Sequence, residues 1–256
     1  MIKLVHQVPK LAPELDGFRV DIDENESRAD IILDRPPSNF VSPVQWEQMR
    51  AAFELLDDDP RVRVIVVRAQ GQHFSGGNDI GETHGLSLEQ TSRCVWNMEA
   101  PSRCSKPVIA ANRGYCFGAG FELSLACDFR IATETTIYAL STQSADQVPG
   151  ADASARLQKL VGAGRAKDIV MRSRRIRGAL AYEWGIATEF VVDNELEMFS
   201  DTLVRELVAV PSTVQRKAKK LLNAIEDIPF PVPIGTVERV FIDAAGHRRP
   251  ALVDGK

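Results

Sequence analysis

The chain has 256 residues, of which 44% are hydrophobic and 26% are charged, and its formal net charge is −4. This composition is typical of a globular protein with a buried core, and it excludes disordered and collagen-like chains. No apolar run reaches the roughly 18 residues that a membrane-spanning helix needs, so no membrane is expected as a partner. The negative charge also argues against nucleic acid as a partner, because nucleic-acid-binding domains carry a basic surface.

Cysteine spacing and the amino terminus bear on metal sites and cellular location. The four cysteines lie 10 to 12 residues apart, at Cys94, Cys104, Cys116 and Cys127. This spacing predicts neither a zinc site nor a disulfide framework. The amino terminus has no apolar segment of the kind found in secretory signals. We therefore expect a cytoplasmic protein with reduced thiols and no bound metal.

The first part of the chain predicts alternating strands and helices. Apolar residues alternate or cluster at 18–22, 29–33, 61–67, 108–111 and 128–132, which predicts five strands. Ser42 and Gln45 fit a capping box at the start of one helix. Ser87 and Gln90 fit a second capping box, for a helix that runs to about Cys104.

Beyond residue 150 the patterns are mostly helical. The predicted helices lie at about 151–161, 163–172, 178–185, 195–209, 211–226 and 236–246, with one strand-like stretch at 190–192. A proline-rich segment at 228–235 would set the last helix apart. No repeat or low-complexity linker separates the two parts, which favours one domain with a helical extension.

Two glycine-bearing segments follow predicted strands, and both are interpreted as strand-to-helix turns. They read HFSGGNDI at 73–80 and GYCFGAGFE at 114–122. Glycine lets backbone N–H groups point into a cavity, and a helix that begins there adds its positive dipole end. Two such turns facing each other would form an oxyanion hole, although plain tight turns remain the alternative interpretation. Neither segment contains a phosphate-loop or dinucleotide-binding motif.

The two turns, together with KPVIAANRGYCFGAGFELSLACDFRIAT at 106–133 and VPGADASARLQKLVG at 148–162, resemble the enoyl-CoA hydratase/isomerase (crotonase) superfamily. The resemblance implies an α/β fold, a crotonase-like spiral of ββα repeats with a C-terminal helical region. It implies a core over 1–200 and a C-terminal trimerisation region over 201–256. It further implies an acyl-CoA thioester as the partner, a homotrimer or dimer of trimers, and no cofactor besides the coenzyme A of the substrate.

The resemblance also assigns the site residues. Asn78 and Ala119 match the family's two oxyanion donors, and both act through backbone N–H groups, so an alanine serves if its backbone angle φ is negative. Glu122 matches the first catalytic glutamate, on an otherwise apolar helix start where a carboxylate needs an explanation. The substrate-binding positions implied are Gly77, Asp79, Ile80, Gly118, Thr142 and Gly150, although Asp79 and Asp128 are also interpreted as turn or cap residues.

One departure from the family concerns the second catalytic glutamate, whose place is taken by Thr142. A threonine can hydrogen-bond a water but does not exchange a proton near neutral pH. Asp146 and Asp152 could substitute, or they could be a loop residue and a first-turn helix carboxylate. The leading hypothesis is an enoyl-CoA hydratase. The alternatives are another enolate reaction (isomerase, decarboxylase or hydrolase) and a CoA-binding family member with weak or no catalysis.

Overall fold

The computed structural model of the chain describes residues 14–140 and 151–225. Its first part alternates strands with helices, as predicted. The elements up to residue 140 are β1 (Phe18–Asp23), β2 (Arg28–Leu33), α1 (Pro43–Asp58), β3 (Val64–Ala69), α2 (Ile80–Thr83), α3 (Leu88–Met98), α4 (Ala100–Arg103), β4 (Val108–Ala111), β5 (Tyr115–Phe117), α5 (Ala119–Ala126), β6 (Phe129–Thr133) and β7 (Ile137–Ala139).

The second part is mainly helical. It contains α6 (Ala151–Met171), β8 (Ile176–Arg177), α7 (Gly178–Glu183), β9 (Glu189–Val191), a 3-10 turn (Asp193–Glu195), α8 (Leu196–Ala209) and α9 (Ser212–Ile225). The two helices predicted around 162 are joined at Gly162, whose φ of 80° kinks α6. In the part of the chain that the structure describes, no helix is long and apolar enough to cross a membrane.

The larger sheet has six strands in the order β1-β2-β3-β4-β6-β9. Only the β1–β2 pair is antiparallel, and the other neighbours are parallel. Alternate residues of β3 face opposite sides, because successive side chains of a strand point to opposite faces. Ile65 and Val67 join the main core, whereas Val64 and Val66 join a smaller core that includes Leu203 of α8. The sheet is therefore covered on both faces.

The smaller sheet has three strands in the order β5-β7-β8. β5 and β7 are parallel, and β7 and β8 are antiparallel. The sequence did not predict these strands, because two or three residues are too few to show a period. β5 corrects one prediction: the second glycine segment is not a direct strand-to-helix turn from β4, since it contains a strand of its own.

The predicted helix starts can be compared with the observed ones. Ser42 caps α1 by accepting a hydrogen bond from the Gln45 amide, but the Gln45 side chain donates to Gly17 instead of completing a capping box. The capping box of α3 is complete. The prediction that this helix runs to about Cys104 was wrong, because α3 ends at Met98 and α4 begins with proline in its first turn.

The contacts within the chain divide it into two units, Met1–Ala209 and Val210–Lys256. Of the second unit, the structure describes α9, which matches the helix predicted at 211–226. The proline-rich segment at 228–235 and the helix predicted at 236–246 lie outside the described residues. All the side chains of the candidate site discussed below belong to the first unit.

Candidate functional site

The first glycine segment is held in place by Ser75. The Ser75 hydroxyl donates to the Asn39 carbonyl at 2.7 Å and accepts from the Gly77 amide at 3.1 Å. Gly77 has a φ of 103°, in the left-handed region that favours glycine. Asn78 then forms a parallel bridge with Val41. The chain is thus turned at Gly77 and extended again at Asn78.

The second segment runs alongside the first in a parallel pairing. Ser75 and Cys116 form a parallel bridge, in which the Ser75 amide donates to Tyr115 and the Phe117 amide donates to Ser75, both at 2.9 Å. Asn78 and Ala119 each lie three residues beyond this bridge. The pairing therefore brings the two predicted oxyanion donors to the same level.

The two turns approach each other backbone to backbone. A Cβ atom added to Gly77 would lie 3.2 Å from the Phe117 carbonyl oxygen and 3.8 Å from the Ala119 nitrogen. A Cβ atom added to Gly118 would lie 3.8 Å from the Gly77 Cα. Side chains at these positions would fill the gap between the turns, so glycine leaves this space open beside the Ala119 amide.

Neither the Asn78 amide nor the Ala119 amide has an acceptor among the hydrogen bonds of the described residues. Val41 bonds to the Gly77 carbonyl and the Asp79 amide, both at 2.9 Å, so the Asn78 N–H points away from Val41. Ala119 is the first residue of α5, where amides have no partner inside the helix. The backbone angle φ of Ala119 is not positive, as an alanine in this position requires.

Gly120 allows α5 to begin against the first turn. A Cβ atom at this position would lie 2.5 Å from the Ser75 Cβ and 2.9 Å from its Oγ. Both distances are shorter than any ordinary contact between such atoms. The Gly118 amide, at the N-cap of α5, donates to the Ala139 carbonyl at 2.8 Å and ties the start of this helix to β7. α5 is therefore held by both neighbours.

Glu122 lies in the first turn of α5, and all eight residues of this helix are buried. Glu122 as a whole is only 7% exposed to solvent. α3, α4 and α6 all contact α5. Glu122 lies three residues after Ala119 in the same helix, one turn from an amide that has no acceptor among the described residues.

A family model described as enoyl-CoA hydratase/isomerase matches residues 23–229. The chain belongs to this family. It is 31% identical over 204 residues to a carnitinyl-CoA dehydratase of Salmonella enteritidis, covering 78% of each chain. Among solved structures it is similar to an enoyl-CoA hydratase of Bacillus anthracis, with a TM-score of 0.80 and 29% identity over 90% of each chain.

Another similar structure is a Thermobifida fusca protein in complex with acetoacetyl-CoA. Its TM-score is 0.78 and its identity is 27%, over 90% of this chain and 93% of that one. The α/β fold expected from the resemblance is therefore confirmed as that of the family. The chain spans most of the length of these relatives.

Residues behind α5 form an uncharged polar layer. Asn112 Oδ1 accepts from the Ser124 hydroxyl and from the Tyr138 hydroxyl, each at 2.8 Å. Burial raises the pKa of the Tyr138 hydroxyl well above its ordinary value, so this group stays protonated. Burial likewise raises the pKa of the Cys116 thiol. These groups anchor the helix without adding negative charge near Glu122.

Arg130 holds the other end of α5. Its guanidinium donates to the carbonyls of Ser124 and Cys127, at 3.1 and 2.7 Å, and to that of Ile186 at 2.6 Å. Burial lowers the pKa of Arg130. Because the ordinary pKa of an arginine is very high, the side chain nevertheless remains a cation. A cation at the C-terminal end of α5 stabilises the helix dipole. The positive end of that dipole lies at the start of the helix, beside the Ala119 amide.

The remaining family positions are only partly described. Asp79 caps α2 by accepting from the Gly81 amide, which confirms its interpretation as a cap residue. Asp128 instead accepts from the Val108 amide at the start of β4, a contact between distant segments. Ile80 is 56% exposed. The predicted positions Thr142, Asp146 and Gly150 lie outside the described residues. Asp152 is exposed in the first turn of α6, as expected of a first-turn carboxylate.

Sequence reasoning missed the residues that support the site. Ser75 organises the first turn, and Trp46 on α1 donates its indole N–H to Asn78 Oδ1 at 3.2 Å. Glu99 is another buried carboxylate, and it forms an ion pair with Arg156 of α6. No local pattern signals these contacts, because their partners lie far apart in the chain.

Proposed function

We propose that this protein is an enoyl-CoA hydratase-type lyase, which adds water to the double bond of a 2-enoyl-CoA thioester or removes it in the reverse direction. The observation that carries the proposal is the close approach of the two glycine turns, which hold the amides of Asn78 and Ala119, together with the lack of an acceptor for either amide among the described residues. A thioester oxygen that accepts from both amides becomes polarised, and the β-carbon then becomes electrophilic. One such donor is typically worth ~10²–10³ in rate.

Glu122 supplies the proton transfer in this proposal. During hydration the oxygen of a water molecule bonds to the β-carbon, while one proton of that water passes to the Glu122 carboxylate. The electron pair of the double bond moves toward the thioester, and the two amides stabilise the resulting enolate. Glu122 then protonates the α-carbon and returns to its carboxylate form. No electrons are exchanged, so the reaction needs no redox cofactor, and coenzyme A enters only with the substrate.

Thr142 favours a second candidate, a CoA-thioester-binding protein with weak or no catalysis. The residue stands where the family's second glutamate is expected. A threonine hydroxyl can orient a water but cannot take its proton near neutral pH. The loss of the second glutamate also counts against simple double-bond isomerisation. Another enolate reaction, such as decarboxylation or isomerisation with Asp146 or Asp152 assisting, is the alternative to hydration.

The test is the loss of enoyl-thioester absorbance with short, medium and aromatic 2-enoyl-CoA substrates. Glu122→Gln keeps the shape of the side chain but removes the exchangeable proton, so turnover should fall by ~10²–10⁴ while KM changes little. Glu99→Gln is the matched control, because it removes the charge of another buried glutamate that pairs with Arg156. It should lower stability and change turnover far less.

Each outcome separates the candidates. Turnover by the wild type that is lost in Glu122→Gln but not in Glu99→Gln supports the hydratase. Turnover unaffected by Glu122→Gln contradicts the proposed acid–base role. Binding of enoyl-CoA without any turnover supports the weakly catalytic candidate instead.

A further inference from the structure

The side-chain oxygen of Asn78 is bound by a buried tryptophan. Asn78 Oδ1 accepts from the indole N–H of Trp46 on α1 at 3.2 Å, and Trp46 is only 1% exposed. An indole N–H can only donate, so the atom that faces it is the amide oxygen of Asn78. A buried N–H group needs an acceptor, and this oxygen meets the need. The side chain of Asn78 is therefore held against α1.

The start of α1 also holds the backbone of Asn78. Val41, just before this helix, forms a parallel bridge with Asn78. Ser42 caps the helix by accepting from the Gln45 amide at 2.9 Å, and its carbonyl accepts from the Trp46 amide at 3.1 Å. These bonds fix the position of Trp46 relative to Val41. The main chain and the side chain of Asn78 are thus both tied to one short, ordered segment.

The bond to Trp46 matters because an asparagine oxygen competes for backbone amides. Asparagine side chains commonly accept hydrogen bonds from N–H groups of their own residue or of residues nearby in the chain. The Asn78 N–H has no acceptor within the described ranges, although its own residue carries a strong one. That oxygen is bonded to Trp46 instead. An amide captured by Oδ1 would no longer be available to a thioester oxygen.

We propose that Trp46 is a positioning residue, which keeps the backbone amide of Asn78 open by binding the Asn78 side-chain oxygen. This inference rests on the proposed function, since it takes that amide to be one of the two donors to the thioester carbonyl. Trp46 acts only through Asn78. Without the indole N–H, Oδ1 is free to turn toward its own backbone N–H, and the substrate oxygen must then displace it.

The expected loss falls on kcat more than on KM. The amides bind the charged enolate oxygen more strongly than the neutral carbonyl oxygen of the substrate. Loss of one such donor typically costs ~10²–10³ in rate, and an internal oxygen that competes for the donor without removing it costs less. Trp46→Phe is therefore expected to lower kcat by ~10- to 100-fold. KM should change less, because a hydrogen bond between neutral groups changes affinity by only about 3- to 10-fold.

The test is a double-mutant cycle between positions 46 and 78, measured with the best 2-enoyl-CoA substrate. Trp46→Phe removes the indole N–H and keeps an aromatic ring in the core. Asn78→Ala removes the competing oxygen and keeps the backbone N–H. Trp46→Phe should lower kcat by ~10- to 100-fold in the wild-type background but by about 2-fold or less in the Asn78→Ala background. The double variant should therefore turn over faster than Trp46→Phe alone.

Restored turnover is a readout that packing alone does not give. A purely structural role of Trp46 would lower kcat equally with and without Asn78→Ala. Trp184→Phe is the matched control, because it makes the same change in a partly buried tryptophan at the end of α7, whose ring contacts Arg165 and Arg174. This control should leave kcat unchanged in both backgrounds.

Asn78→Asp tests the competition without changing the core. The substitution leaves one oxygen for Trp46 and adds a second oxygen that the indole does not hold. This second oxygen is a charged acceptor, which bonds N–H groups more strongly than an amide oxygen does. The variant should lose at least as much kcat as Trp46→Phe, and turnover at the wild-type rate would overturn the competition.

Calorimetry with butyryl-CoA over the same cycle separates this inference from the proposed function. If the wild type turns over and Trp46→Phe costs the same in both backgrounds, the role of Trp46 is overturned while the hydratase stands. If the wild type binds butyryl-CoA but turns over no enoyl-CoA, the hydratase falls. The inference then stands only if Trp46→Phe weakens binding by about 3- to 10-fold and Asn78→Ala restores it. Without binding or turnover by the wild type, both fall together.

Discussion

Replacing Gly120 with alanine tests whether the start of α5 is set by its contact with Ser75. The added Cβ would lie 2.5 Å from the Ser75 Cβ, 2.9 Å from its Oγ and 3.3 Å from its carbonyl oxygen. Ordinary carbon–carbon contacts are about 3.5–4.0 Å, so the two segments must separate by roughly 1 Å. Gly120→Ala is therefore expected to displace the first turn of α5.

Ser75 cannot easily yield to the new methyl group. Its backbone is paired with Tyr115 and Phe117, and its hydroxyl bonds to Asn39. The displacement falls on α5, which carries the Ala119 amide and Glu122. Overpacking of a tight core costs about 1–3 kcal/mol of stability. A shift of about 1 Å in catalytic groups can cost ~10²-fold in rate.

Two measurements check this expectation, urea unfolding and the hydration of the best 2-enoyl-CoA substrate. Gly164→Ala in α6 is the matched control, because a Cβ there meets nothing within 4 Å and its φ is not in the left-handed region. This control should gain about 0.5–1 kcal/mol, as expected when alanine replaces a helical glycine, and should keep its activity.

The double variant with Ser75→Gly separates the clash from other effects. Ser75→Gly removes the Cβ that Gly120→Ala would meet. The double variant should therefore lose less stability than the sum of the two single variants, by about 0.5–3 kcal/mol. If Gly120→Ala has the stability and kcat/KM of the wild type, the start of α5 does not abut Ser75. Strictly additive losses would refute the direct contact.

Three further predictions concern the rest of the chain. Ser173 has a φ of 47° and a buried hydroxyl without a partner among the described residues, so Ser173→Gly should raise the free energy of unfolding by about 1 kcal/mol in urea; a loss would contradict the strain. Arg177 is the N-cap of α7 but makes no side-chain hydrogen bond to the helix. Arg177→Asp should therefore raise the free energy of unfolding by about 1 kcal/mol and raise Tm, and an unchanged or lower Tm would contradict the capping position. Burial raises the pKa of the Cys94 thiol, so its alkylation by iodoacetamide should be slower than that of a free thiol at neutral pH and should increase as pH rises toward that higher pKa. Mass spectrometry should find the other three thiols, which are buried, labelled later than Cys94.

Much of the secondary structure could be predicted from local patterns. The alternation of Phe18, Val20 and Ile22 and the apolar run of β4 predicted strands that the structure confirms. The serine cap and the glutamine at its third position predicted the start of α3. These signals succeed because they act within one turn or one strand, where the backbone and its own side chains decide the conformation.

The smaller sheet could not be predicted in this way. β8 has only two residues, and its pairing partner β7 lies far upstream. The break between α3 and α4 was also missed, because Pro101 lies within an otherwise helical pattern and a proline is tolerated in the first turn of a new helix. Such features depend on what each segment meets elsewhere in the chain.

The sequence by itself determined the family and the candidate residues, since the glycine turns and Glu122 carry a recognisable order of residue types. Tertiary structure decided which of these residues form a site. Whether an amide is unpaired depends on every acceptor around it, and the pairing of Ser75 with Cys116 joins the two turns whose Asn78 and Ala119 amides have no acceptor among the described residues. The orientation of the Asn78 side chain likewise depends on Trp46, a contact between distant segments that packing creates and no local pattern encodes.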